Sequence, residues 1–221
     1  MIPRYCVIIP AFDAMSTIGG LVRRIRTQGL DVMVVNDGSQ DSTAQVASTH
    51  GAVVISHVDN LGKGTALQTG FRHALRLGYE GVITMDSDGQ HDPADLQRLI
   101  ETVERGEAHI VVGNRMGNDR AMPFLRRWTN RAMSSIVSRL IRQRIPDSQC
   151  GFRFIHRDVL AATPLAAQHF DIETELLLAA VRRGWTVASI PILTIYDNRR
   201  SHIRPVRDGL RFLRLVWRYL R

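Results

Sequence analysis

Two carboxylates one residue apart, Asp86 and Asp88, stand in the stretch Met85-Asp86-Ser87-Asp88-Gly89-Gln90-His91-Asp92, directly after the apolar run Gly81-Val82-Ile83-Thr84. Ionised carboxyl groups at the end of a buried strand are costly unless a cation sits with them. A hard divalent ion, Mg²⁺ or Mn²⁺, takes oxygen ligands of this kind and shares them with the diphosphate of a nucleotide. The competing reading is a solvated turn whose acids cap a helix. Asp92 followed by Pro93 does carry that capping pattern.

A single lysine, Lys63, stands among 29 basic residues, flanked by Gly62 and Gly64. Backbone free to approach a phosphate, beside a compact ammonium, suits an anionic ligand. The Gly-x-x-x-x-Gly-Lys-Ser/Thr loop of nucleoside triphosphatases is not what the residues spell. A glycine-rich start to a helix is the alternative, and both readings stand. Asn36-Asp37-Gly38-Ser39 reads as a turn requiring positive φ or, with Pro10-Ala11-Phe12-Asp13, as part of a ligand pocket. Further on, Asp171, Glu173 and Glu175 fall near the start of a helix, where acids suit the dipole. Asp171 or Glu175 is also a candidate to face a substrate or act as a general base; Glu173 reads as a helix-start acid. His91 and His156 read as structural or surface residues.

These loops need a scaffold that brings them to one edge. Strand-like runs at Tyr5–Ile9, Asp31–Val35, Ala52–His57, Gly81–Met85 and His109–Val112 alternate with helical patterns over 17–27, 42–49, 65–77 and 93–105. Continuous Val/Ile runs separated by helices predict a mainly parallel sheet covered on both faces, a doubly wound α/β domain. Ligands in such folds sit beyond the carboxyl ends of the strands, where the four polar loops fall. Downstream, 124–141 reads as a helix, 152–155 as a short strand, 172–183 as a helix and 187–195 as a strand interrupted by Pro191. No repeat or linker divides the chain, so 1–205 is expected to form one domain, followed by a C-terminal helix over 206–221.

With 221 residues, 44% of them hydrophobic, the chain can bury a complete core. No apolar run nears the roughly 20 residues of a membrane span, and Met1-Ile2-Pro3-Arg4-Tyr5 lacks signal-peptide form. Two distant cysteines, Cys6 and Cys150, give neither a disulfide framework nor a zinc site, so a reducing cytoplasm is expected. The net charge of +8 invites a nucleic-acid reading. Its position argues otherwise, because from Arg199 onward there are eight arginines against one acid, Asp208, which leaves the body close to neutral.

After Pro205, arginines at 207, 211, 214, 218 and 221 recur every three or four residues and share one stripe of a helix. Val206, Leu210, Phe212, Leu213, Leu215, Val216, Trp217, Tyr219 and Leu220 cover the rest. That pattern fits a helix lying in a membrane interface, each arginine near anionic lipid contributing about 1 kcal/mol. The bland alternative is a helix docked on its own domain with the arginines in solvent.

Five segments in order carry a resemblance: Val7-Ile8-Ile9-Pro10-Ala11-Phe12, Asn36-Asp37-Gly38-Ser39-Gln40-Asp41-Ser42-Thr43, Asn60-Leu61-Gly62-Lys63-Gly64, Asp86-Ser87-Asp88-Gly89-Gln90-His91 and Cys150-Gly151-Phe152-Arg153. Over residues 5–155 the chain resembles family 2 glycosyltransferases of the GT-A fold, within them the dolichol-phosphate mannosyltransferase-like branch. The resemblance implies a Rossmann-like sheet flanked by helices. It also implies metal-dependent, inverting transfer of a sugar from a GDP- or UDP-sugar to a polyprenyl-phosphate acceptor. Carried over by position, Pro10, Ala11, Asp13 and Asp37 belong to the nucleotide pocket, with Lys63, Asp86, Ser87 and Asp88 along the donor. Asp86 and Asp88 match the metal carboxylates and Gln90 an added metal ligand. Arg115 and Arg126 or Arg127 match arginines that hold the acceptor phosphate, with the loop Asn198-Arg199-Arg200-Ser201-His202 expected beside them. Departures fall in the nucleotide loops: Asp13-Ala14 stands where Asn-Glu is usual, and Asn36-Asp37 where two acids are usual.

A phosphate monoester is largely ionised at pH 7, its second pKa being about 6, so such a nucleophile needs little help from a base. A glycosyltransferase for hydroxyl acceptors would instead need Asp171 or Glu175. The expected partners are thus a nucleotide-sugar, a polyprenyl phosphate, the inner membrane surface through 206–221 and an integral-membrane protein, but no nucleic acid. A basic nucleic-acid-binding module is the remaining rival, and it leaves the acidic and glycine-bearing loops unexplained.

Overall fold

Apolar strands that alternate with helices must be covered on both faces, and Tyr5–Ala11 is buried at every position. In the computed structural model, which describes residues 4–118, 122, 124–195 and 205–220, this run is the first strand of one sheet. The strands are β1 (Tyr5–Ala11), β2 (Asp31–Asp37), β3 (Val53–His57), β4 (Gly81–Thr84), β5 (Ile110–Asn114), β6 (Arg153–His156) and β7 (Val187–Pro191). Their order across the sheet is β3-β2-β1-β4-β6-β5-β7. Val7, Ile8, Ile9, Val34, Val35, Ile83 and Ile110 are fully out of water, each contributing about 1.5–3 kcal/mol.

The helices are α1 (Met15–Arg26), α2 (Thr43–Thr49), α3 (Lys63–Leu77), α4 (Leu96–Glu104), α5 (Phe124–Ile141), α6 (Arg157–Ala162), α7 (Ile172–Arg182) and α8 (Pro205–Leu220). The doubly wound, mainly parallel expectation holds. One strand, β6, runs against both neighbours, pairing Arg153 with Thr84 on one side and Val112 on the other. Its reversal puts the chain entering β6 at the same rim as the carboxyl ends of β1, β2, β3 and β4. Pro10 is tolerated inside β1 because β4 pairs only as far as Ile8↔Thr84, leaving Pro10 opposite Val35 alone.

Boundaries differ from the sequence pattern where side chains bind backbone. The helix expected over 93–105 is a 3₁₀ turn at Pro93–Asp95 followed by α4. Asp92 caps that turn, Oδ1 accepting from Ala94 N at 3.0 Å, and Asp95 Oδ2 accepts from Leu193 N at 2.8 Å. Helix α3 begins at Lys63, two residues before the expected Thr65. Strand β7 ends at Pro191; beyond it Thr194 bridges to His91 and Ile195 N donates to Gln90 O at 2.9 Å. The short helix α6, absent from the sequence reading, is capped by His156.

Helix α8 docks on the domain through Phe212, Leu215 and Val216, which are buried, and the Arg182 guanidinium of α7 lies over the Tyr219 ring. Leu213 and Trp217 remain more than half exposed. The 198–202 loop, Arg221 and the side chains of Val206, Arg207, Leu210 and Leu220 lie outside what is described.

Candidate active site

Asp86 follows β4 by two residues, and its carboxylate is gripped from three directions. Lys63 Nζ lies 2.6 Å from Oδ1, and His91 Nε2 3.7 Å from Oδ2. The third wall is backbone: a Cβ on Gly151 would sit 2.6 Å from Oδ1, so only glycine fits beside this carboxylate. Burial opposes ionisation of Asp86, but the Lys63 ammonium and His91 outweigh it and hold the carboxyl far below its ordinary range. Burial likewise opposes the Lys63 charge, and Asp86 with Glu173 reverses this, raising the ammonium well above its ordinary value. His91 is buried and stacks on Phe152, its ring centroid 5.4 Å away.

Asp88 lies exposed one turn further on, its Oδ1 accepting from Gln90 N at 2.9 Å. Ser87 and Gln90 flank it, both half-buried. Asp86 and Asp88 thus differ in environment, one locked to an ammonium and one open to solvent.

Lys63 is aimed by the loops around it. Asp37 Oδ2 accepts from Gly62 N at 2.8 Å, and its Oδ1 accepts from Leu61 N at 3.0 Å. His57 Nδ1 lies 2.7 Å from the same Oδ1, and its Nε2 is 3.0 Å from Thr69 Oγ1 on α3. Asp37, buried, is therefore the residue that ties the Gly62-Lys63-Gly64 loop to the sheet. On its other flank the loop touches residues 167–169: a Cβ on Gly64 would be 2.5 Å from Ala167 O. Pro10 and Ala11 are buried at the end of β1. Asp13, exposed, adopts φ 48°, a conformation aspartate tolerates. Its Oδ1 accepts from Gln40 N at 2.9 Å while its N–H donates to Ser39 Oγ, clasping the first two rim loops together.

The acids at the start of α7 divide differently from the sequence reading. Glu173 is not only a helix-start acid: its Oε1 lies 2.6 Å from Lys63 Nζ, inside the protein. Glu175 is buried, with Oε2 accepting from Ala166 N and Ala167 N at 2.9 and 2.8 Å, so it shapes the turn against which Gly64 rests. Asp171 makes no capping bond, and its Oδ1 is buried without a partner among the described residues. The signal for Glu173 was the lone lysine itself. A largely enclosed ammonium needs carboxylate partners, though helix periodicity could not say which acids.

Arg115, on the loop after β5, is buried and joined to Asp147 in a two-pronged pair, Nε to Oδ2 at 2.7 Å and Nη2 to Oδ1 at 3.0 Å. Asp147 had no sequence signal, since nothing in its spacing marks a partner 32 positions away. Arg126 and Arg127 sit half-buried near the start of α5, the Arg127 guanidinium 5.8 Å from the Phe124 ring centroid. Arg153, fully buried, donates to the carbonyls of Ser148, Cys150 and Glu173 at 2.6–2.7 Å. One guanidinium thereby fixes both Gly151's segment and the start of α7.

A half-buried, cation-held acid with an exposed acid two residues on thus stands at the carboxyl rim of a doubly wound sheet, the edge where ligands sit in such folds. The family described as "Glycosyl transferase family 2" matches residues 6–163. The polyprenol monophosphomannose synthase of Mycolicibacterium smegmatis is 29% identical over 203 residues, spanning 86% of this chain and 76% of that protein. The UDP-N-acetylglucosamine–dolichyl-phosphate N-acetylglucosaminyltransferase of Methanococcus voltae is 28% identical over 215 residues, spanning 87% and 86%. Among solved structures, the glucosyl-3-phosphoglycerate synthase of Mycobacterium tuberculosis in complex with Mn²⁺ and UDP-glucose superposes with a TM-score of 0.75 at 23% identity, covering 98% of this chain and 77% of that one. That last likeness is one of fold, the GT-A arrangement. The match over most of the sheet, with these relatives named for transfer to lipid phosphates, makes the chain a glycosyltransferase belonging to glycosyl transferase family 2.

Proposed function

We propose that this enzyme transfers a sugar, with inversion, from a nucleoside-diphosphate sugar to a polyprenyl phosphate at a membrane surface. The observation that carries the reading is Asp86, half-buried against Lys63 and Gly151, with Asp88 open to solvent two residues on. The family implies a divalent cation, and the residues suit one: hard carboxylate oxygens, one in a backbone cradle that leaves no room for a Cβ. No cluster of three or more Asp, Glu, His or Cys among the described residues could hold a metal alone. Mg²⁺ commonly takes only one or two carboxylates and draws the rest of its shell from water and substrate phosphates. Asp86, Asp88 and Gln90 would hold the ion, which when bound neutralises the leaving diphosphate.

The rest of the work falls to the chain. Asp37 holds the Lys63 loop, Asp13 clasps the first two rim loops, and Pro10, Ala11 and Ser87 complete the nucleotide wall. Arg126 and Arg127 hold the acceptor phosphate; Arg115, paired with Asp147, fixes the loop after β5. The acceptor phosphate enters already ionised and attacks the anomeric carbon opposite the leaving diphosphate, so no protein base is required. Glu175, engaged by two backbone amides, fits that economy. A hydroxyl acceptor is the second reading, favoured by the buried, unpartnered Asp171 Oδ1 as a base.

Among the described residues no helix is long and apolar enough to cross a membrane. Attachment by α8 as a peripheral element is supported by exposed Leu213 and Trp217 beside Arg214 and Arg218. The deciding experiment assays UDP- and GDP-sugars with Mn²⁺ against polyprenyl phosphate and against sugar acceptors. Transfer to the lipid phosphate that survives Asp171→Asn supports the reading. Transfer only to hydroxyl acceptors, abolished by that substitution, replaces it with the second.

A further inference from the structure

The rim holds more charge than two metal carboxylates require. Lys63 Nζ lies 2.6 Å from Asp86 Oδ1 and 2.6 Å from Glu173 Oε1. The ammonium therefore covers an oxygen that a divalent ion would need. The backbone that carries it is held in place, because Gly62 and Gly64 are wedged against residues 167–169 and Asp37 fixes the Gly62 amide, so the ammonium can move only within reach of these two acids. Glu173 is itself anchored, its backbone carbonyl accepting from Arg153 Nη1 at 2.6 Å. Its second carboxylate oxygen, Oε2, is buried with no hydrogen-bond partner among the described residues. An unsatisfied buried acceptor is a costly state, and an ammonium has three donors to offer.

We propose that Lys63 is an internal counter-ion exchanged on donor binding: it neutralises Asp86 in the empty enzyme, then passes wholly to Glu173 when Asp86 takes up its divalent ion with the donor diphosphate. This rests on the nucleotide-sugar reading and deepens it by assigning Glu173 a role as the positioning residue for Lys63. The orphaned Oε2 receives the freed donor, and the ammonium remains beside the phosphates. The exchange also orders the binding. Without a nucleotide, displacing Lys63 from Asp86 strips a half-buried carboxylate of its partner for an ion whose oxygen shell is incomplete. With a nucleoside diphosphate present, the phosphates complete that shell and give the ammonium a second anion.

The test measures Mn²⁺ binding by electron paramagnetic resonance on the full chain, for Mn²⁺ alone and with UDP or GDP. The variants are Glu173→Gln and the double variant Lys63→Met/Glu173→Gln, which removes one charge of each sign and so keeps the buried balance. The double variant should bind Mn²⁺ alone about tenfold more tightly than wild type, a change of about 1.4 kcal/mol. Glu173→Gln should bind Mn²⁺ more weakly than wild type with or without nucleotide, since Lys63 then has Asp86 as its sole partner. Equal affinity for Mn²⁺ alone in the wild type and the double variant overturns the exchange, as does unchanged binding in Glu173→Gln. Wild-type protein that binds Mn²⁺ no better with either nucleotide than without overturns the nucleotide-sugar reading and the exchange together. Thermal melts confirm that each variant is folded before it is scored.

Discussion

Position 151 shows how closely chemistry and backbone are coupled here. A methyl group there would press on Asp86 Oδ1, so Gly151→Ala must displace either the carboxylate or the segment that Arg153 holds. Asp88 has no such constraint, being exposed. Asp88→Asn should keep the fold within about 0.5 kcal/mol of wild type by urea titration. It should lower kcat by at least ~10²-fold, because metal-assisted charge stabilisation supplies several kcal/mol. Near-normal transfer by that variant would remove Asp88 from the metal site. The Arg115–Asp147 pair belongs to stability instead. Asp147→Asn leaves a buried guanidinium half-satisfied and should cost about 3–5 kcal/mol in the same titration. A loss under about 1 kcal/mol would mean that the pair is more wetted than its burial implies.

At the scale of elements, α8 has separable faces. Phe212, Leu215 and Val216 lie on the docked side, and Leu213 with Trp217, four residues apart, on an exposed flank next to Arg214 and Arg218. Phe212→Ala should destabilise the domain by about 3–5 kcal/mol. Leu213→Ala/Trp217→Ala should leave its melting temperature unchanged and reduce cosedimentation with anionic vesicles severalfold. Vesicle binding that the double substitution leaves intact would rule out this flank as the membrane contact. The sequence pattern alone offered docking and membrane contact as alternatives, because periodicity shows one broad apolar face. Burial divides that face in two, so both can hold at once. The same limit applies to β6: its four residues, Arg153 to His156, carry no mark of direction, and its antiparallel course is decided by β4 and β5 on either side.

Across the whole molecule, the parallel sheet, the order of rim loops and the Asp86–Asp88 pair were all legible, because buried strands and turn residues write themselves into local composition. The partners of Lys63 and Arg115 were not, since those pairs join loops far apart in sequence that only the folded sheet brings together. These pairs set the response to acid. Burial opposes ionisation of Asp147 and Asp86, but Arg115 and Lys63 outweigh it, so both carboxyls lie below their ordinary value of 3.8. Each therefore contributes stability that is fully present above about pH 4 and is lost as pH falls further. Melting temperature should hold nearly level from pH 7 to 5 and drop steeply below 4. A flat profile down to pH 3 would contradict this linkage.

The reversed strand carries a consequence for synthesis. While the chain leaves the ribosome, β1 to β4 can pair as a parallel half-sheet, but the open side of β4 waits for β6, made only after β5 and α5. At roughly 5–20 residues per second that interval lasts several seconds. Throughout it, the nascent half-domain presents a bare strand edge beside Val82 and Ile83, the kind of edge on which unfinished chains aggregate. Slow translation beyond Thr84 would thus be a hazard for this fold, and a chaperone that shields that edge would raise its yield.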